Sequence, residues 1–223
     1  MVVEGNIGSG KTAFIAHYAA QYPQHIRPFP EPVERWRNVR GQNMLELMYN
    51  DPQRWSLPFQ QYVQLTMTEI HGADVQPTAV DGAPCVKLME RSIFSARHVF
   101  VENLAASGLM AAPEVIVYDE WYNWLCAQQK CPVDLIVYLK STPENCHKRI
   151  QRRCRPEEAN ISLNYLEQLH DLHEQWLLGE QNKSKLPAPV LVVDNDRDFA
   201  NVEDLHRNFE QAASHVFAGK IPA

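Results

Sequence analysis

Gly5-Asn6-Ile7-Gly8-Ser9-Gly10-Lys11-Thr12 fills every specified position of the pattern G-x-x-x-x-G-K-[ST]. The pattern works in one setting, the turn between the end of a buried strand and the start of a helix. Glycines let successive backbone N–H groups point inward around phosphate oxygens. Lys11 brings a cation to the β- and γ-phosphates, the Thr12 hydroxyl can ligate Mg²⁺, and the helix that follows aims its N-terminus at the anion. The chain is therefore expected to bind a nucleoside triphosphate and to carry an α/β architecture. A guanine-specific switch protein is disfavoured, because Asn182-Lys183-Ser184-Lys185 lacks the aspartate of an Asn-Lys-x-Asp motif.

The rest of the chain alternates strand and helix patterns. Met1–Glu4 reads as a strand end and a helix starts near Lys11. Arg27–Pro30 reads as a short strand, Asn43–Asn50 and Pro58–His71 as helices, and Cys85–Met89 as a strand. Helices are expected over Ser92–Ala106, Pro113–Gln129, Leu163–Leu178 and Val202–His215, with strands over Leu135–Leu139 and Val190–Val193. Ser141-Thr142-Pro143-Glu144 opens one further helix. Gly72–Pro84, rich in Gly, Pro, Asp and Ala, reads as a surface loop. Such alternation predicts a parallel sheet with helices on both faces, in one domain over residues 1–223. The first strand is short for a strand that feeds a phosphate loop, which suggests a trimmed N-terminus.

Composition sets bounds. A net charge of −6 argues against a nucleic-acid coat surface, and no apolar run reaches the ~18 residues of a membrane span. The five cysteines form neither a CxxC pair nor a zinc spacing, and their odd number suits a reducing compartment.

A phosphate-loop enzyme also needs a carboxylate near its metal. Val115-Ile116-Val117-Tyr118-Asp119 looks like a strand that ends on such an aspartate, and Glu90 at the end of Cys85–Met89 is the competitor. However, Val117, Trp121, Trp124 and Leu125 share one 3.6-period face, and Pro113 suits a first helical turn. Residues 113–129 are therefore read as helix and Asp119 as a decoy, which leaves Glu90 as a candidate acid. Glu31, between Pro30 and Pro32 just past a strand, is the other acid of interest. Open parallel sheets bind ligands at the carboxyl ends of their strands, where Glu31, Glu90 and the glycine loop can converge.

Four segments in register then carry a resemblance: Gly5–Thr12, Glu31–Val39, Leu45–Tyr49 and Met89–Arg97. With Val133–Leu139 and Tyr165 to Leu177, they resemble the animal deoxyribonucleoside kinases, on the multisubstrate and mitochondrial thymidine kinase branch. The resemblance implies a P-loop kinase fold with a five-stranded parallel sheet, ATP as phosphate donor, Mg²⁺, a deoxynucleoside acceptor and a homodimer built on a helix bundle. It also implies a cytoplasmic or mitochondrial setting, with neither nucleic acid nor membrane as partner.

Residue by residue, Glu31 matches the base that takes the 5′-hydroxyl proton, Glu90 the Mg²⁺ carboxylate, and Arg91 the clamp on Glu31 and the reacting oxygens. Tyr49 and Glu158 match the pair on the sugar 3′-hydroxyl. Gln60 matches the amide that reads the base edge. Trp36 and Phe100, which on their own read as core aromatics, match the walls of the base pocket; Met48, Phe59, Val63, Met67 and Ala96 complete it. Lys148–Glu158 matches a lid, placed over about residues 148–160, whose Arg153 and Arg155 face the phosphates. Asp198-Phe199 resembles the adenine loop. The Gly72–Pro84 loop and the Ala105–Ala112 tract depart from the pattern and read as surface insertions. Two other readings remain open at this point: a nucleoside-monophosphate kinase, and an ATP-binding regulatory module without turnover.

Overall fold

The structure, a computed structural model, describes residues 1–75, 85–129 and 131–196. Its centre is a sheet of five parallel strands in the order β2-β3-β1-β4-β5. The strands are β1 (Val2–Glu4), β2 (Ile26–Phe29), β3 (Val86–Glu90), β4 (Ile136–Lys140) and β5 (Val190–Asp194). Although only three residues long, β1 lies in the middle and pairs with β3 on one side and β4 on the other. Central strands are covered on both faces, which is why they read as unbroken apolar runs.

Strand periodicity divides the core into two layers. Val3, Leu88, Val137, Leu139, Leu191 and Val193 point to one face, where Phe14, Ile15 and Tyr18 of α1 (Lys11–Gln21) cover them. Val2, Met89, Ile136 and Tyr138 point to the other face. That face meets α3 (Met44–Asn50), α4 (Pro52–Gly72) and α9 (Leu163–Leu178). The chain also forms α2 (Val33–Arg37), α7 (Ala112–Gln129) and α8 (Pro143–Arg153). Helices thus cover both faces of the sheet, as the alternation predicts.

Several elements differ from the sequence reading. Helix α4 begins at Pro52, six residues before the expected Pro58, which sits inside it. The start is set by Asp51, whose side chain accepts from Arg54 N at 3.4 Å, with Pro52 in the first turn. The stretch expected as one helix from Ser92 is broken in kind: α5 (Ile93–Ser95) passes through a π-helical segment (Ala96–Val101) into α6 (Glu102–Ala106). The Ala105–Ala112 tract is not only surface, since Met110 is buried against Val101, Leu104 and Tyr118. The expected helix Val202–His215 and most of the Gly72–Pro84 loop lie outside the described residues.

Helix α7 settles the Asp119 question. Asp119 lies mid-helix, pairing with Arg97, whose Nη2 donates to Oδ2 at 3.0 Å. It is remote from the glycine loop's chemistry. The apolar face used to recognise this helix is not buried, however: Val117, Trp121 and Trp124 are each about half exposed.

Candidate active site

Residues 5–12 form the turn from β1 into α1. Gly8 has φ +80°, and a Cβ there would stand 2.6 Å from Cys146 O. Gly5 has φ +145°, and a Cβ would meet Leu139 O and Ser9 Oγ, both at 2.7 Å. Neither position admits a side chain, so these glycines hold the loop against β4 and α8. The Asn6 amide anchors the loop to Leu166 O at 2.8 Å, and Asn195, just past β5, donates to Ser9 O at 2.5 Å.

Lys11 is buried in the loop it serves, its ammonium donating to Asn6 O at 2.8 Å and Gly5 O at 3.1 Å. Burial lowers its pKa to about 8; Arg91 pushes the same way, while Glu90, Glu31 and Glu4 oppose. The Thr12 hydroxyl donates to Glu90 Oε1 at 2.8 Å. Two hard oxygen donors thus stand side by side at the mouth of the loop. That chemistry fits Mg²⁺, which takes few protein ligands and completes its shell with phosphate oxygens and water. Among the described residues no cluster of three or more His, Cys, Asp or Glu forms a metal cage.

The ends of β2 and β3 supply the next layer. Glu31, two residues past β2, faces Arg91, one residue past β3, with Nε 3.1 Å from Oε1. The Arg91 Nη1 also donates to Gly5 O at 3.1 Å, and its guanidinium lies 4.6 Å from the Phe100 ring centroid. Withdrawal from water raises the Glu31 carboxyl above its ordinary range; Arg91 pulls it back and Glu90 raises it further.

One cavity runs from the glycine loop into the core. Its walls include Glu31, Trp36, Met48, Tyr49, Phe59, Gln60, Val63, Met67, Ala96, Phe100 and Glu158, with Ile7, Gly8, Lys11, Thr12, Glu90, Arg91, Arg153 and Arg155 at the phosphate end. All the pocket residues expected from the sequence are therefore in one wall. Gln60, Val63 and Met67 fall on a single face of α4, and Ala96 and Phe100 lie on the π-helical segment. Trp36 is fixed by its indole N–H donating to Thr66 Oγ1 at 2.9 Å and meets Phe59 edge-on. Gln60 Oε1 is buried in this apolar surround with no partner among the described residues.

Tyr49 reaches the same cavity from α3. Burial, then the nearby Tyr165, Glu158 and Glu31, raise its phenol well above 10. Glu158 ends a 3-10 turn (Pro156–Glu158) and is held by Arg153, with Nη2 to Oε1 at 2.7 Å, and by Arg155 at 3.4 Å. Both lid arginines thus pair with Glu158 while lining the cavity that the glycine loop opens into. Asp198 and Phe199 lie outside the described residues.

Six further wall residues were not singled out from the sequence: Val33, Leu45, Ser92, Ser95, Leu104 and Tyr165. Leu104 was accessible to periodicity, four residues after Phe100 and eight after Ala96. Val33 and Leu45 enter through the packing of α2 and α3, which no local pattern marks.

The family described as deoxynucleoside kinase matches residues 1–217. The chain is 46% identical over 214 residues to human mitochondrial thymidine kinase 2, covering 96% of this chain and 76% of that one. It is 37% identical over 218 residues to mouse deoxycytidine kinase (88% and 84% covered). It is 33% identical over 218 residues to Xenopus laevis mitochondrial deoxyguanosine kinase (89% and 82% covered). With the family matched along nearly its whole length and the pocket assembled at the carboxyl ends of its strands, the chain belongs to the deoxynucleoside kinase family.

Proposed function

We propose that this ATP-dependent deoxynucleoside kinase prefers thymidine and deoxycytidine, with Glu31 as the base for the 5′-hydroxyl. The readings as a monophosphate kinase or a non-catalytic ATP-binding module give way to its family membership. The observation that carries the base preference is the buried, unpartnered Oε1 of Gln60 in an otherwise apolar wall. An unpaired buried acceptor costs about 1–3 kcal/mol, which a pyrimidine N–H recovers. By flipping its amide, Gln60 serves either thymine or cytosine.

The roles follow from position. Glu31 takes the 5′-hydroxyl proton while Arg91 orients it. Lys11 neutralises charge on the phosphates. Tyr49 and Glu158 take the sugar 3′-hydroxyl, and Arg153 and Arg155, now on Glu158, close over the transferring phosphoryl group. Thr12 and Glu90 would hold Mg²⁺, which supplies charge neutralisation on the β- and γ-phosphates. The chain acts as one kinase domain with residues 148–160 as its lid, and Asp198 and Phe199 serve adenine. Its setting is cytoplasmic or mitochondrial, in keeping with five unpaired cysteines. No helix among the described residues is long and apolar enough to cross a membrane.

The test is substrate preference. Wild type should favour thymidine and deoxycytidine over both purine deoxynucleosides by at least about tenfold in kcat/KM. Met67→Arg with Ala96→Asp should narrow or reverse that gap, since the two charges partner each other and a purine's extra polar atoms. Equal kcat/KM for deoxyadenosine and thymidine in wild type overturns the pocket reading.

The homodimer rests on α7. Ile116, Val117, Trp121 and Trp124 leave an apolar face open on it, and Leu65 of α4 is about half exposed as well. A face of this kind on a water-exposed helix marks an association surface. Sedimentation should give a dimer for wild type and a monomer for Trp121→Glu combined with Trp124→Glu; a monomeric wild type refutes the assignment.

A further inference from the structure

Glu4 ends β1 with no exposed surface, and none of the roles above uses it. A carboxyl group is poorly suited to that place. Burial pushes its pKa up to about 7, against the pull of the Ser92 hydroxyl and of Arg91. Glu4 Oε1 accepts from Ser92 Oγ at 2.5 Å, while Oε2 has no partner among the described residues. An apolar residue, like Val2 and Val3 before it, would fill the strand end without desolvating a charge.

What Glu4 does touch is the turn after β3. Arg91 has φ +62°, in the left-handed region that side-chain-bearing residues rarely adopt. Such a conformation persists only where its surroundings hold it, and it tends to mark a functional site. The turn is gripped on both sides: Arg91 N donates to Val3 O at 3.0 Å, and Ser92, the next residue, is tied by its hydroxyl to Glu4. From this backbone setting the Arg91 guanidinium reaches both Glu31 and Gly5 O.

We infer that Glu4 is a positioning residue for phosphoryl transfer: through Ser92 it holds the Arg91 turn in the conformation from which Arg91 orients Glu31. The inference rests on the reading of Glu31 as base and Arg91 as its clamp. Without the Glu4–Ser92 bond, Arg91 relaxes toward ordinary backbone angles and its guanidinium leaves Glu31. A small misplacement of a reacting group costs up to about 10²-fold in rate. The nucleoside is held elsewhere, by Gln60, Tyr49 and the aromatic walls, so its binding should hardly change.

The experiment compares Glu4→Ala, Glu4→Gln, Ser92→Ala, Ser92→Thr, the Glu4→Ala/Ser92→Ala double variant and Arg91→Ala, with kcat and nucleoside KM for each. Glu4→Ala and Ser92→Ala should each lower kcat about 10–100-fold with KM within about threefold. Glu4→Gln, which keeps an acceptor oxygen, and Ser92→Thr, which keeps the hydroxyl, should stay within about threefold of wild type. The double variant should fall no further than the worse single, because one bond is lost in all three. Ser92 also caps α5, so Ser92→Ala lowers Tm in any case; a cap alone does not split kcat from KM. If Glu4→Ala does not fold, Ser92→Ala against Ser92→Thr, with Glu4→Gln, makes the same comparison. Multiplicative losses in the double variant, wild-type kcat in Ser92→Ala, or Glu4→Gln as slow as Ser92→Ala each overturn the inference. An active Arg91→Ala refutes the parent reading instead. An inactive Arg91→Ala beside an active Ser92→Ala refutes only the role of Glu4.

Discussion

Glu31→Gln should lower kcat about 10²–10⁴-fold while nucleoside Kd stays within about threefold. The amide keeps the size of the side chain and one acceptor oxygen, so the cavity wall survives. What it loses is the ability to take a proton from the 5′-hydroxyl. It also loses the ion pair with Arg91, whose Nε lies 3.1 Å from the carboxylate. Steady-state ADP formation gives the rate, and calorimetric titration of thymidine gives the affinity. A variant within threefold of wild type in kcat would mean that some other group, or water, takes the proton.

Lys11→Ala should cost about 10²–10³-fold in transfer, the scale of one preorganised charge donor at a developing anion. The structure makes this residue hard to replace. Lys11 is the buried cation of the glycine loop, and Glu90, Glu31 and Glu4 all act on it. Removing it leaves those carboxylates with less compensating charge where the triphosphate must enter, so ATP affinity should fall with kcat. Coupled ADP release at varied ATP checks both; turnover near wild type would mean that the loop does not hold the reacting phosphates.

Much of the site was legible because it is local in sequence or repeats at a helical period. Gly5–Thr12 declares itself through eight consecutive residues, and Gln60, Val63 and Met67 share a face by spacing alone. Asp119 could be set aside for the same reason, since its neighbours repeat at 3.6 rather than 2. Boundaries were less legible. Pro58 reads as a helix start, yet α4 runs through it because Asp51 and Pro52 start the helix earlier. The π-helical turn over Ala96–Val101 has no sequence mark, because one extra residue per turn reflects packing against α9 and α4 rather than the propensity of its residues.

By itself, then, the amino-acid sequence determined the phosphate loop and the parallel α/β class, since each depends on short-range chemistry or period; the pocket's acids and aromatics were named through the family resemblance, Trp36 and Phe100 reading on their own as core. Only the tertiary structure decided the rest. It set the strand order, the pairing of Arg153 and Arg155 with Glu158, and the meeting of Glu4 with Ser92 across 88 positions. The last of these joins residues far apart in the chain, and it is the sheet register, which puts Val3 opposite Glu90, that brings Glu4 to the turn holding Arg91.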